Sequence, residues 1–205
     1  MTDNRTNAPI LVDATLRDGG YANNYGFTCT DVQRVAVGLR DAGVPMIEIG
    51  HGFGLGADRS FGKMAETDAA YISCLAGGLD GALFGMFTNA NIATKSDVVE
   101  AARLGLQFLR VGCIGFTEPH PFSVALELAE LAKAEGMWAS INLVRTNYLT
   151  FRELEIAARD AARIGVDAIY VVDSTGGTFP NQVAEAVRVL RSAEEVPVDS
   201  TGTRT

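Results

Sequence analysis

The sequence predicts an α/β fold, an incomplete (β/α)8 barrel of about six βα units and the start of a seventh strand. Three observations carry this expectation. Apolar runs recur at intervals of about 26 to 36 residues, and each is followed by an amphipathic stretch of helical period. The runs are apolar throughout, as strands covered on both faces are, which implies a parallel sheet, either open and doubly wound or closed into a barrel. Polar residues then fall just past the strand ends: Arg17 and Asp18, Glu48 and His51, Thr88 and Asn89, Arg145, Asp173 and Ser174. A barrel with its site on the C-terminal face distributes them in that way.

Strand-like runs begin near Ile10 (ILVDA), Met46 (MIEIG), Ala82 (ALFGMF), Phe108 (FLRVG), Trp138 (WASINLV) and Ala168 (AIYVVD). After the first, TDVQRVAVGLRDAG reads as a helix with Thr30 as its cap, Val35, Ala36 and Leu39 as a buried stripe and Gly43 as its stop. After the second, GHGFGLG has the wrong spacing for a dinucleotide-binding turn and no helix start behind its last glycine. After the fifth, Thr150 and Glu153 form a Thr-x-x-Glu capping box. Leu154, Ala157, Ala161 and Ile164 recur at helical spacing, and Gly165 ends the helix. AARLGLQFLRVG at Ala101 and AARIGVDAIYVV at Ala161 repeat one pattern of helix end, glycine and buried strand. Val196-Pro197-Val198 opens a seventh strand, so residues 1–198 read as one partial barrel domain and 199–205 as a polar tail foreign to it.

Composition narrows the function. At 205 residues, 47% hydrophobic and 20% charged, the chain can bury a sizeable core. A net charge of −8 offers no basic surface for nucleic acid and would be repelled by anionic lipid. The polar opening lacks the apolar core of a signal peptide and no run is long enough to span a membrane, so a cytoplasmic location is expected. Cys29, Cys74 and Cys113, odd in number and lacking a Cys-x-x-Cys spacing, suit reduced thiols.

LVDATLRDGG places Arg17 and Asp18 at the exit of the first strand, before two glycines that let the backbone bend around a ligand. The pair reads either as a surface ion pair or as a site in which Asp18 binds a hard divalent cation while Arg17 holds negative charge developing on a substrate oxygen. DATLRDGG resembles the signature of the pyruvate-type metal-dependent aldolases and their condensing relatives, a TIM-barrel metallolyase superfamily that includes 4-hydroxy-2-oxovalerate aldolase, hydroxymethylglutaryl-CoA lyase and isopropylmalate synthase. VPMIEIGHGFGLGADRSFG and YVVDSTGGTFPNQV are similar to the second- and sixth-strand segments of the oxovalerate aldolases.

The resemblance implies aldol cleavage, or its reverse, of a 4-hydroxy-2-oxo acid into pyruvate and an aldehyde, with the small 2-oxo acid chelated to Mn2+ or Mg2+. Asp18 would be a metal ligand and Arg17 would steady the enolate oxygen. The oxovalerate aldolases carry a histidine base three positions after that aspartate; here the position is Tyr21, whose ordinary pKa of about 10 makes it a poor base at neutral pH. Tyr21 is then a proton donor or a pocket wall. His51 reads as an acid/base group or a hydrogen-bonded structural histidine, and His120, between two prolines, as a loop residue. Glu48 would orient Arg17 or a metal-bound water, or form a buried ion pair. Asp173 and Ser174 would contact the substrate carboxylate or cap a helix.

The superfamily's other two protein ligands are a His-x-His pair on the seventh strand, and no such pair follows Val198. Deleting one base from a coding of Val-Gly-Phe-His-Gly-His-Ala-Asn gives Val-Asp-Ser-Thr-Gly-Thr-Arg-Thr, the residues from Val198 onward. The expectation is therefore a frameshifted, truncated barrel with little activity. Its open sheet edges would favour a homo-oligomer or a completing partner. Oxovalerate aldolases associate with an acylating aldehyde dehydrogenase through a C-terminal region, and such a partner is not expected for this chain. The alternatives are a non-catalytic barrel fragment and an acyl-CoA-using Claisen-type synthase.

Overall fold

The structure, a computed structural model, describes residues 10–61, 64–116, 121–193 and 198–202. Strands β1 (Val12–Leu16), β2 (Met46–Ile49), β3 (Leu83–Asn89), β4 (Phe108–Cys113), β5 (Trp138–Val144), β6 (Ala168–Asp173) and β7 (Val198–Gly202) form one sheet in the order β1 to β7, every neighbouring pair parallel. Between them lie helices α1 (Cys29–Asp41), α2 (Asp68–Cys74), α3 (Lys95–Arg103), α4 (Pro121–Ala134), α5 (Phe151–Ile164) and α6 (Pro180–Ala193). A doubly wound sheet reverses its strand order; this one never does. Right-handed crossovers in an unreversed order put every helix on one face, so the sheet curls on its other face and becomes most of a barrel.

Successive strand residues point to opposite sides. The outward row includes Ile47, Ile49, Phe84, Met86, Leu109, Val111, Ile141, Leu143, Ile169 and Val171, all buried. It packs on Val32 and Ala36 of α1, Ile72 of α2, Val98 and Ala101 of α3, Ala125 and Ala129 of α4, Leu154, Ala157 and Ala161 of α5 and Leu190 of α6. The inward row differs: Glu48, Arg110, Ser140 and Asn142 are buried there beside Tyr170. A barrel whose interior served only stability would fill it with branched aliphatics.

The capping box at Thr150 and Glu153 forms as expected, with the Thr150 hydroxyl accepting from the Glu153 N–H, and Gly165 closes α5 at φ +70°. In α1 the cap is Thr28 rather than Thr30. The acid that completes a box must stand three residues on, and Asp31 does so for Thr28, accepting from the Thr28 N–H at 2.9 Å. Backbone pairing of β7 with β6 runs on from Ile169↔Val198 to Asp173↔Gly202, past the point where the sequence turns polar. Ladder hydrogen bonds use main-chain groups, so polar side chains do not interrupt them. His120 lies outside the described residues. Among those described, no helix is long and apolar enough to cross a membrane.

Candidate active site

A register slip between Asp13 and Leu16 ends β1 against β2, and Arg17 follows in a tight turn whose N–H bonds the Ala14 carbonyl at 3.1 Å. The chain then enters a 3-10 turn, Asp18–Asn23. Arg17 Nε donates to Glu48 Oε2 at 3.0 Å, and Arg17 Nη1 donates to Asp18 Oδ1 at 3.1 Å and to the Gly52 carbonyl at 3.3 Å. Its guanidinium carbon stands 5.2 Å from the centre of the Phe87 ring. Among the described residues Nη2 has no partner. The guanidinium is held on one edge and one face, with the remaining edge available to an anionic ligand oxygen.

Glu48 is fully buried, and its second oxygen accepts from Arg110 Nη1 at 2.7 Å. Burial pushes its pKa up, but Arg110 and then Arg17 outweigh that and hold it below the ordinary value, so Glu48 is ionised. Arg110 stacks over Tyr170, 4.5 Å from the ring centre. The strand-to-strand pairing continues inward through Ser140, whose hydroxyl donates to Asn142 Oδ1 at 3.0 Å.

Above this triad stands an aromatic wall. Tyr21 meets Tyr25 and Phe53 edge to face, and Tyr25 stacks on His51 with centroids 3.9 Å apart. Tyr25 and Asn24 take left-handed backbone angles, φ +56° and +54°, unusual for a bulky residue and compensated here by the stack and by the Tyr25 N–H bond to Gly20. The Tyr21 ring lies where a side chain on Gly52 would be: a Cβ there would come within 2.5 Å of it. Burial, then the neighbouring Tyr25, pushes the Tyr21 hydroxyl up to about 12 despite the opposing effect of Arg17. Tyr21 is a donor at neutral pH, not a base.

His51 is 1% exposed. Its Nδ1 accepts from the Phe53 N–H at 3.0 Å, which leaves the proton of the neutral ring on Nε2, an atom with no partner among the described residues. Burial depresses its pKa against the opposing pull of Asp58. Like Tyr21, it is arranged to donate.

The structure thus brings Arg17, Asp18, Glu48, Tyr21 and His51 together. Asp173 and Ser174 stand at the end of β6. The Asp173 carboxylate accepts from the N–H groups of Thr175, Gly177 and Thr178 and from the Thr175 hydroxyl, and the Thr178 N–H leads the effects that lower its pKa. Asp173 borders a separate cavity of about 400 Å³ between β6, α5 and α6, and Ser174 is exposed. No hydrogen bond joins either to Arg17 among the described residues.

The polar strand-end residues Thr88 and Arg145 are also accounted for differently. Thr88 donates to the Leu55 carbonyl at 2.9 Å, and Arg145 is exposed with φ +58°. Sequence reasoning missed Arg110, although a charge inside the apolar run FLRVG was its signal, and missed Tyr25, which had none.

Asp18, with its side chain 48% exposed, is accessible to a cation. Among the described residues no group of three or more His, Cys, Asp or Glu could hold a metal ion, so they supply one oxygen donor rather than a ligand set.

Comparison with known proteins agrees with this geometry. The chain is 36% identical over 190 residues to an oxaloacetate decarboxylase of Mycobacterium tuberculosis, covering 93% of this chain and 55% of that protein. It is 34% identical over 189 residues to 4-hydroxy-2-oxovalerate aldolase 2 of Nocardia farcinica, covering 92% and 54%. It therefore spans about half the length of these relatives. Its fold matches the carboxyl transferase domain of Rhizobium etli pyruvate carboxylase with 3-bromopyruvate, with a TM-score of 0.75 at 18% identity over 96% of this chain and 36% of that one. It also matches Bacillus subtilis HMG-CoA lyase, with a TM-score of 0.68 at 14% identity over 94% and 75%. The HMGL-like family model covers residues 8–202, and with relatives at this level of identity the chain belongs to the HMGL-like family, its fold an incomplete TIM barrel.

Proposed function

We propose that the Arg17 site cleaves a small 2-oxo acid between its third and fourth carbons, with Arg17 binding the enolate oxygen. The observation that carries this is the clamp on Arg17. Cleavage leaves the electron pair on the third carbon, delocalised onto the 2-oxo oxygen, and a guanidinium already fixed by Glu48 and backed by Arg110 stabilises that charge without reorganising. Asp18 would provide one ligand to the Mn2+ or Mg2+ that the family resemblance implies.

Two substrates lead to such an enolate. A 4-hydroxy-2-oxo acid, as the name of the Nocardia relative suggests, must lose its hydroxyl proton to a base. A 2-oxo acid carrying a 4-carboxylate, as the name of the Mycobacterium relative suggests, loses CO2 and needs none. Tyr21, at about 12, and His51, with Nδ1 occupied, are both donors. With neither arranged as a base, they suit decarboxylation, which needs none; the pyruvate enolate that either reaction leaves would then take a proton on its third carbon.

The test supplies oxaloacetate and 4-hydroxy-2-oxovalerate to the 205-residue protein, with and without Mn2+, and follows pyruvate. Faster release from oxaloacetate supports decarboxylation, and the reverse preference restores the aldol reading. Turnover is expected to be low in a chain whose described residues give one metal ligand. Binding of oxalate, an analogue of pyruvate enolate, supplies a second readout. Arg17→Ala should weaken it at least about tenfold, and unchanged affinity would remove Arg17 from the site.

A further inference from the structure

We infer that Cys29 and Cys74 form one oxidisable dithiol, a modification site joining α1 to α2 that closes as an intrachain disulfide. The two residues are far apart in sequence and lie on different helices, and the fold brings both sulfurs to neighbouring carbonyls of α2. Cys29, the first residue of α1, places its sulfur 3.6 Å from the Ala70 carbonyl, and Cys74, the last residue of α2, turns its sulfur back to the Tyr71 carbonyl at 3.1 Å. Ala70 and Tyr71 are consecutive, so both thiols rest on adjacent carbonyls of α2.

The alignment of the helices is fixed independently of the sulfurs. Gln33, one turn on from Cys29, donates through Nε2 to the Cys74 carbonyl at 2.8 Å, and the Tyr71 hydroxyl donates to the Phe27 carbonyl at 2.6 Å. Cys29 and Cys74 are each half-buried and can be reached by a small oxidant, whereas Cys113 is buried and bonded to the Asn142 carbonyl at 3.7 Å.

The oxidant class is a low-molecular-weight disulfide such as oxidised glutathione. Burial, and then the adjacent Cys29 thiol, pushes Cys74 up to about 12, so Cys29 makes the first attack. That step breaks the reagent's S–S bond, forms a mixed disulfide on Cys29 and releases one reagent thiol. Capping Cys29 removes its effect on Cys74, whose sulfur then displaces the second reagent thiol from Cys29. Two electrons pass from the protein sulfurs to the reagent, and its two thiols carry away both protons. The new bond ties α1, which continues from the Arg17–Tyr25 segment, to α2, which continues from the segment bearing His51, Phe53 and Phe61. Oxidation therefore braces the two helices behind the aromatic wall.

The experiment equilibrates the 205-residue protein with oxidised glutathione, counts free thiols after denaturation and maps peptides without reduction. The expected result is a fall from three thiols to one, a loss of two hydrogens in mass and a peptide linking Cys29 to Cys74. Cys113 should remain free, and dithiothreitol should reverse the change. The oxidised form should melt higher by roughly 5–10 °C. Cys29→Ser and Cys74→Ser should each abolish the cross-link. Separate glutathione adducts on the two cysteines, bonds between chains, or persistence of all three thiols would overturn the inference. The map of the unsubstituted protein decides it even if neither variant folds.

Discussion

Arg110 donates to one oxygen of the buried Glu48 at 2.7 Å while Arg17 donates to the other at 3.0 Å, so one carboxylate joins guanidiniums from two other segments of the barrel. Such a carboxylate is costly to bury and more costly to leave partnerless, and so is each guanidinium. Glu48→Ala should destabilise the fold by about 3–5 kcal/mol in urea unfolding, because Arg110 loses its ion-pair partner inside the barrel. Arg110→Met keeps the Arg17 bond to Glu48 but frees one carboxylate oxygen. It should weaken oxalate binding by loosening Arg17, and Arg110→Lys should recover part of the loss. Equal oxalate affinity in all three forms would separate Arg110 from the site.

Tyr21 gives the sharpest functional prediction. Tyr21→Phe removes the hydroxyl but leaves the ring that packs across Gly52, so stability should change by less than about 1 kcal/mol while protonation of the enolate carbon slows. Tyr21→His installs a group that titrates near neutrality. Release of pyruvate from 4-hydroxy-2-oxovalerate should rise relative to release from oxaloacetate, and should increase as pH passes upward through the histidine range. An unchanged substrate ratio would show that position 21 does not handle the proton.

Asp68, the first residue of α2, should make the stability of the fold depend on pH. It is 6% exposed, accepts from the Gly56 N–H at 2.7 Å and stands beside Asp58, and burial leads the effects that raise its pKa from 3.8 to about 7. One oxygen of each aspartate is buried with no partner among the described residues. A folded-state pKa raised above the unfolded one means that the native protein holds the extra proton. This contribution is complete below about pH 4 and disappears as pH rises through about 7. Its size is on the order of 4 kcal/mol. Asp68→Asn should flatten this dependence, so the variant gains on the parent between pH 5 and 8 in thermal melts; parallel curves would contradict it.

Gly85 tests the inner packing of the barrel. It pairs with Glu48 on one side and Phe108 on the other, and a Cβ there would lie 2.3 Å from the Phe108 ring and 2.4 Å from its carbonyl oxygen. The obstruction includes backbone and cannot swing aside. Gly85→Ala should cost about 1–3 kcal/mol or more, with Glu48 displaced as β2 and β3 separate. A neutral result would mean that the sheet opens more freely here than its register suggests.

The sequence by itself determined the alternation of strand and helix, the parallel sheet and the position of Arg17 and Asp18 at a strand exit, because each is written in a local period or a neighbouring pair. It also determined the α5 cap, a matter of residues three apart; the same rule applied to Thr28 and Asp31 moves the α1 cap from Thr30. Only the tertiary structure decided that Glu48 serves two arginines, that Tyr21 and His51 are donors, that Asp173 binds its own loop and that Cys29 meets Cys74. Glu48 stands 31 residues from Arg17 and 62 from Arg110, and such pairings follow from strand order, register and barrel curvature. The protonation states follow in turn from burial, which no single segment specifies because neighbours from other segments create it.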